Sequence, residues 1–271
     1  MNLTKVFEKM TLEQIETAPF STMIESGMPL ELLKPFERIW RQKMLPRDIY
    51  NTFFTEPDDL FTAIYGNGGF VNGERQYIYP FGCNKVPEGI SEVHGPIGIQ
   101  TSKWHHETMQ QHVALVAANL VDHEVDPWLA VALATLHDVG KKYTISTNKR
   151  GEISFYGHAR VSAFIASYWL KQWNVDERLA KTIVAVVYAH MDAHELWKEG
   201  GVKDWKTGEM VDHRARFWEE LVAFCGDENL ARQIMKLIDT FSKCDEGVDD
   251  PSLAEDRIAR GERLILGMPQ F

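Results

Sequence analysis

Hydrophobic and polar residues follow two different patterns along this 271-residue chain. From about residue 104 onward, apolar residues recur every three to four positions, as on amphipathic helices. Before residue 100 the periodic stretches are short, and a segment dense in glycine, proline and asparagine follows them. The pattern predicts an all-α domain over residues 101–271, preceded by a loop-rich N-terminal extension or cap over residues 1–100.

Capping residues support the helices predicted in the second region. Asp126 followed by Pro127 is typical of an N-cap and a first helical residue. Asp176 and Asp227 likewise precede periodic apolar segments, so each is predicted to cap a helix. The predicted helices span residues 105–121, 127–138, 158–173, 177–196, 213–225 and 228–245.

The N-terminal region has a weaker pattern. Short helices are predicted at 11–17, 29–43 and 57–64, and residues 66–100 are interpreted as loop or short strands. A loop of this length in a compact domain is often functional, and it is a candidate for closing over a substrate. The Gly-Asn-Gly-Gly stretch at 66–69 lacks the preceding strand and following helix of a phosphate-binding loop, so a turn is the better interpretation.

Composition and charge narrow the class of protein. A formal net charge of -10 disfavours binding along duplex nucleic acid, which needs clustered Lys and Arg, but it permits a small phosphorylated ligand. Three scattered cysteines without a CxxC pair indicate reduced thiols in a cytosolic protein. The N-terminal residues lack an apolar signal region, and no stretch approaches eighteen apolar residues, so we expect a cytoplasmic protein without membrane contact.

Histidines and aspartates fall beside strongly apolar runs, several of them at predicted helix ends. A cation is favoured at helix C-termini, where the carbonyl groups carry partial negative charge. His137 and Asp138 are adjacent, so they can converge on one site only if the helix stops there. The candidate residues are His112, His137, Asp138, His158, His190 and Asp245. Taken singly, a histidine on an apolar helix face is more often a hydrogen-bonded core residue than a metal ligand.

The order of these residues resembles the HD superfamily of metal-dependent phosphohydrolases. Matching words are HDVGK at 137–141, FYGHARVSA at 155–163 and VVYAHMD at 186–192, and they look most like the HD regions of bacterial tRNA nucleotidyltransferases. The resemblance covers roughly residues 105–248 and implies an HD-type helical catalytic domain. It implies a mononuclear core formed by His112, His137, Asp138 and Asp245, with His158 and His190 added in members that hold two metals.

The resemblance also implies a bridging role for Asp138 and leaves two positions less certain. Asp239, Asp249 and Asp250 compete with Asp245 as the last ligand. Arg160 stands near where relatives often carry an acidic residue, and it is either an anion contact or a solvated helix-face side chain. The donor set suits one or two divalent transition metals (Fe, Mn, Co, Ni or Zn), with Mg²⁺ as a further candidate.

Local charge favours a phosphate ligand. Residues 141–160 carry five positive side chains against Glu152 alone, which gives +4 in a chain of net charge -10. A solvated basic loop would show the same charge. The predicted substrate contacts are Lys141, Lys142 and Arg160. Lys141 follows the HD-x-G word, and by the resemblance it approaches the substrate phosphate.

These features predict hydrolysis of a phosphate ester, either a nucleotide or a nucleic-acid end, by metal-activated water. Asp138 and Lys141 are the predicted catalytic residues. An HD-fold di-iron oxygenase acting on a polyol or an organophosphonate would use a similar ligand set, and a binding module with a vestigial site is a third class. The sequence indicates no particular oligomeric state.

Overall fold

The structure, a computed structural model, describes residues 109–144, 146–147, 153–172, 175–204, 206–248 and 250–267, with Glu107 and the pairs 70–71 and 74–75. The described part is an assembly of helices with three short hairpins, in each of which both strands are two residues long. This confirms the all-α prediction. The helices predicted at 11–17, 29–43 and 57–64 lie outside the described residues. Most of the 66–100 loop also lies outside them.

The described residues contain eight α-helices. They are α1 (Met109–Asp122), α2 (Pro127–Leu136), α3 (Lys141–Thr144), α4 (His158–Gln172), α5 (Glu177–Glu195), α6 (His213–Cys225), α7 (Glu228–Cys244) and α8 (Glu255–Gly267). Six of these eight helices correspond to predicted ones, and α3 and α8 are additional. The predicted caps are confirmed, because the side chains of Asp126, Asp176 and Asp227 accept hydrogen bonds from backbone N–H groups of the first turns. A cap of this kind stabilises a helix by about 1 kcal/mol.

The strands form three antiparallel hairpins. Strand β1 (Phe70–Val71) pairs with β2 (Glu74–Arg75), inside the segment interpreted as loop or short strand. The other two hairpins connect helices of the second region and were not predicted. They join β3 (Ser146–Thr147) to β4 (Ile153–Ser154) and β5 (Val202–Lys203) to β6 (Met210–Val211).

A continuous apolar core lies between α1, α2, α4, α5 and α7. Seven residues of α2, from Ala130 to Leu136, are buried, so this helix runs through the interior. Helix α7 is amphipathic, and its buried residues recur at helical spacing up to Cys244, which ends it at the core. Among the described residues, no helix combines the length and apolar character needed to cross a bilayer.

Helix α8 was not predicted from the sequence, and it packs more extensively on α1 than on any other helix. The close approach is possible because Gly261 lies against the backbone of Ala114, where a Cβ atom would overlap the carbonyl group. Ala114 is two residues from His112, so this contact holds the helix that carries one of the candidate ligands.

Replacing Gly261 with alanine should lower the free energy of unfolding by about 1–3 kcal/mol, because the added methyl group overlaps backbone that cannot move aside. Chemical denaturation of purified protein measures the change. Gly267→Ala is the matched control in the same helix, since nothing lies within 4 Å of a Cβ at Gly267. Equal stability of the two variants would contradict the tight α1–α8 contact.

Candidate metal centre

The turn after α2 places His137 and Asp138 side by side at the protein interior. Helix α2 ends at Leu136, and His137 is its C-cap residue. The backbone then turns, and the Lys141 N–H donates to the Asp138 carbonyl oxygen at 3.0 Å as α3 begins. Both side chains are buried, His137 completely and Asp138 with 2% of its surface exposed. The predicted helix stop therefore brings both side chains to one point.

Gly140 allows this turn to touch α4. The Gly140 N–H donates to Ser162 Oγ at 2.8 Å, and a Cβ atom at position 140 would meet the His158 carbonyl oxygen and the Ser162 nitrogen. Glycine is therefore required by the approach of two backbones. The contact also fixes the first turn of α4, which begins with His158, beside Asp138.

Each remaining candidate side chain comes from a different helix. His112 lies in the first half of α1, His158 opens α4, and His190 lies in the last turns of α5. Asp245 is the C-cap residue of α7. The three imidazoles are almost fully buried, and 7% of the Asp245 side chain is exposed. All six residues predicted from the sequence lie together in one cluster within the core.

Three of these side chains form the first trio, defined as His112, His137 and Asp245. The Nε2 atoms of His112 and His137 are 3.2 Å apart. Asp245 Oδ1 lies 3.0 Å from His112 Nε2 and 3.3 Å from His137 Nε2. Two nitrogens and one carboxylate oxygen thus face a common point, as the ligands of a metal ion do.

The second trio consists of Asp138, His158 and His190. The Nε2 atoms of His158 and His190 are 3.2 Å apart. Asp138 Oδ1 lies 3.2 Å from His158 Nε2 and 4.0 Å from His190 Nε2. This trio has the same composition as the first one, with two imidazoles and one carboxylate.

Asp138 lies between the two trios and turns one oxygen toward each. Its Oδ1 belongs to the second trio, whereas its Oδ2 is 3.2 Å from His137 Nε2 and 3.7 Å from His112 Nε2. The His137 and His190 rings meet edge to face at 5.4 Å between centroids, so the trios are adjacent. This is the placement that a bridging carboxylate requires.

Hydrogen bonds outside the cluster orient all four imidazoles. His137 Nδ1 lies 2.8 Å from the Ala134 carbonyl oxygen, and His158 Nδ1 lies 2.8 Å from that of Phe155. His190 Nδ1 is 2.6 Å from the Val187 carbonyl oxygen. A carbonyl oxygen only accepts, so each of these Nδ1 atoms donates, and Nε2 is the ring nitrogen directed into the cluster. Such outer partners commonly orient metal-binding histidines.

A family model described as the HD domain matches residues 109–243, which include five of the six clustered residues. This chain belongs to the HD superfamily. No curated protein and no solved structure matches the chain. The predicted membership is therefore confirmed, whereas the likeness to tRNA nucleotidyltransferases in particular stays a prediction. HD domains are in general metal-dependent phosphohydrolases that bind divalent cations.

The residues of this HD domain fit a divalent metal on structural grounds. Asp138 Oδ1 is buried and has no hydrogen-bond partner among the described residues, although His158 Nε2 lies 3.2 Å away. Four Nε2 atoms converge in the cluster, and the carboxylates of Asp138 and Asp245 are enclosed with them. Buried carboxylates of this kind are paired or coordinate metals. A cation among these atoms would satisfy the oxygen and the nitrogens together.

The electrostatics of the HD cluster agree with this fit. Burial raises the pKa of Asp138, but His137 and Lys141 outweigh it, so the pKa is held well below its ordinary value and the group stays ionised. Burial lowers the pKa of His190 to about 3, which keeps that imidazole neutral. For His137, burial lowers the pKa, but Asp138 and Asp245 outweigh it and raise it to about 10. At neutral pH His137 therefore carries a second ring proton, on the Nε2 atom that would bind a metal ion.

The predicted substrate contacts occupy different surroundings. Lys141 Nζ lies 2.6 Å from Asp138 Oδ2, at the edge of the cluster and 12% exposed. Lys142 belongs to α3, but its side chain lies outside the described residues, as do Lys149 and Arg150. The Arg160 side chain is 21% exposed, and its Nη2 atom pairs with Asp192 Oδ2 at 2.6 Å.

Two residues near the cluster received no firm role from the sequence. Glu107, which precedes α1, is buried and accepts a hydrogen bond from His112 Nδ1 at 3.0 Å. His194 lies one turn beyond His190 on α5, and its Nε2 is 3.6 Å from Asp245 Oδ2. A spacing of four residues puts His194 on the same face of α5 as His190, whereas no local periodicity links Glu107 to His112.

Metal binding to this HD domain should release at least one proton, because His137 loses the proton that its raised pKa retains in the metal-free cluster. Below a pKa of about 10 the affinity should therefore rise with pH, by about tenfold per unit for one proton. Titration with Mn²⁺ between about pH 6.5 and 8.5, with the released protons followed by an indicator, measures both quantities. An affinity independent of pH would contradict the assignment of His137 as a ligand.

Proposed function

We propose that this protein hydrolyses a phosphate ester, a nucleotide or a nucleic-acid end, with water activated by divalent metal. The observation that carries the proposal is the shared carboxylate of Asp138, one oxygen of which faces each trio. An arrangement of two adjacent cation sites suits an in-line displacement at phosphorus, where attacking and leaving oxygens are both stabilised.

The metal ligands in this proposal are the members of the two trios. His112, His137 and Asp245 would hold one ion, and His158 with His190 would hold the other, with Asp138 serving both. When bound, divalent ions would polarise a phosphoryl oxygen and lower the pKa of a water molecule, so that it attacks at neutral pH. The candidate ions are Fe, Mn, Co, Ni and Zn, for which imidazole and carboxylate donors are suited, and Mg²⁺ as a further one.

Lys141 is proposed to bind the phosphate of the substrate. Its ammonium group stands at the edge of the cluster, 2.6 Å from Asp138 Oδ2 and 5.7 Å from the centroid of the Phe155 ring. A cation at this position would neutralise charge that develops on the phosphoryl oxygens in the transition state. Lys142 adjoins it in sequence and is a second candidate. The Arg160 guanidinium pairs with Asp192, so phosphate contact falls first to the lysines.

The partner in this proposal is small. A net charge of -10 disfavours long contact with duplex nucleic acid, whereas a single phosphate or a nucleic-acid end needs only local positive charge. We further propose a cytoplasmic location, on the composition and cysteine usage described above.

The alternative activity is that of an HD-fold di-iron oxygenase acting on a polyol or organophosphonate. It would use the same six side chains, but with iron as the required metal and O₂ as a reactant. Two measurements separate the activities. Phosphate release without O₂ consumption supports hydrolysis, and turnover that requires an iron pair and consumes O₂ would overturn it.

The test of the proposal begins with metal analysis of protein purified without chelator. A phosphate-release screen over nucleotides, cyclic phosphates and oligonucleotide ends then follows. Activity should disappear after chelation and return with added divalent metal. Bound metal without phosphate release from any substrate class would leave the centre in place but contradict the proposed reaction.

Asp138→Asn should abolish metal binding and phosphate release together, with activity reduced by more than about a hundredfold. The amide keeps the size of the side chain but removes the negative charge that both trios share. Asp239→Asn, at the exposed ion pair with Arg214, is the control and should retain metal and activity. Full metal content in Asp138→Asn would remove Asp138 from the centre.

Lys141→Ala should lower kcat/KM by about a hundredfold, as for the loss of one group that stabilises transition-state charge. Its metal content should not change, because Lys141 is not one of the six ligands. Lys171→Ala, an exposed lysine near the end of α4, provides the control for loss of one positive charge. Unchanged kcat/KM in Lys141→Ala would exclude the lysine from substrate binding.

A further inference from the structure

We infer that the ion pair between Arg160 and Asp192 is a clamp that positions the second trio and determines whether the centre holds a second metal ion. Arg160 and Asp192 are thus positioning residues that act through His158 and His190. The inference rests on the proposed function only in taking the second trio as a metal site.

Each residue of the clamp lies two positions after a histidine of the second trio. Helix α4 carries His158 and then Arg160, and helix α5 carries His190 and then Asp192. The Nε2 atoms of the two histidines are 3.2 Å apart, and Arg160 Nη2 lies 2.6 Å from Asp192 Oδ2. The two helices that carry the imidazoles are therefore also joined by the ion pair, which limits how far the imidazoles can separate.

The guanidinium of Arg160 is held on a second side by an aromatic ring. Its Cζ atom lies 4.6 Å from the centroid of Tyr188, which is itself only 7% exposed. The Tyr188 ring stacks on Phe217 of α6 at 6.1 Å between centroids and 12° between planes. A planar guanidinium can stack and form an ion pair at once, which a lysine ammonium cannot do in the same way. The clamp is consequently anchored to the core rather than to mobile surface groups.

The second trio depends more on such support than the first trio does. His158 is the first residue of α4, and the partial positive charge of a helix N-terminus disfavours a nearby cation. The second trio also has no carboxylate of its own beyond Asp138, which it shares, whereas the first trio includes Asp245. With less favourable electrostatics, binding of a second ion requires donors held close to their productive geometry.

The charge of the clamp is balanced, which matters beside a metal site. Arg160 follows His158 by two residues on α4, and Asp192 compensates the guanidinium charge at 2.6 Å. The two side chains are partly buried, 21% and 14% exposed, so the attraction between them is less screened than at an exposed pair. Removing Asp192 therefore loosens the helices and also leaves the guanidinium charge uncompensated.

A second ion pair of the same type provides a matched control. Arg214 forms two hydrogen bonds with Asp239 at 2.7 and 2.6 Å, and its Cζ atom lies 5.0 Å from the Trp197 ring. This pair joins α6 to α7 and is more exposed than the clamp. Like the clamp, this pair consists of an arginine, an aspartate and an aromatic ring in contact. Unlike the clamp, neither charged residue follows a candidate metal ligand by two positions.

The experiment measures the binding of Mn²⁺ to the full chain and to the variants Arg160→Met, Asp192→Asn, Arg160→Lys and Arg214→Met. Wild-type protein should bind two ions and give the exchange-coupled EPR signal of a manganese pair. In Arg160→Met and Asp192→Asn the affinity for the second ion should fall about ten- to hundredfold, while the first ion binds as before. The coupled signal should then be replaced by that of an isolated ion at intermediate Mn²⁺ concentrations.

The other variants separate positioning from a general structural role. Arg160→Lys keeps the charge without the planar stack, so its affinity for the second ion should lie between wild type and Arg160→Met. Arg214→Met should bind both ions like the wild type. Thermal unfolding is measured first to establish which variants are folded. Any one of the three clamp variants that folds is enough to test whether the clamp positions the second trio.

Several results would overturn the inference. They are unchanged affinity for the second ion in the folded clamp variants, equal loss of both ions, failure of all three variants to fold, and a wild-type stoichiometry of one. The last of these leaves the proposed hydrolase intact with a mononuclear centre. Wild-type protein that binds no metal would instead contradict the proposed function itself.

Discussion

The arrangement of this HD domain depends on one buried carboxylate. Asp138 is enclosed in the core with an oxygen that has no hydrogen-bond partner in the described part of the chain, and the Nε2 atoms of four imidazoles surround it. A group of this kind is costly to bury unless an opposite charge accompanies it. The neighbouring features follow from that requirement, including the ionised state of Asp138, the proton retained by His137 and the placement of Lys141 at 2.6 Å.

The helical fold meets this requirement through the places where its helices begin and end. Helix α2 stops at Leu136, so that His137 and Asp138 leave the helix inside the core, and Asp245 reaches the same point as the C-cap of α7. Apolar packing then fixes the donors, since the buried Phe241 ring meets the His137 ring at 5.3 Å and the His190 ring at 6.0 Å. The apolar core thus supplies rigidity, and the hydrogen bonds at each Nδ1 atom supply orientation.

The sequence predicted the clustered residues because each one lies beside a strongly apolar helical run, and because their order matches a known family. Of the nearby acids, Asp245 lies in the cluster, whereas Asp239 pairs with Arg214 and Asp250 caps the short 3₁₀ helix Pro251–Ala254. Helix α8 and the contacts of Glu107 and Arg160 were not predicted. They depend on packing between distant segments, which local periodicity does not encode.

The two halves of the centre are built unequally, and this asymmetry bears on how cations would enter it. The first trio includes the carboxylate of Asp245 and is also faced by Oδ2 of Asp138. In addition, Glu107 accepts a hydrogen bond from Nδ1 of His112. The second trio has only the other oxygen of Asp138 as an anionic donor and lies at the N-terminus of α4. Because Coulomb attraction favours the site with more negative charge, the first trio should fill before the second. The second half then relies on geometry, which is the property that a clamp between α4 and α5 provides.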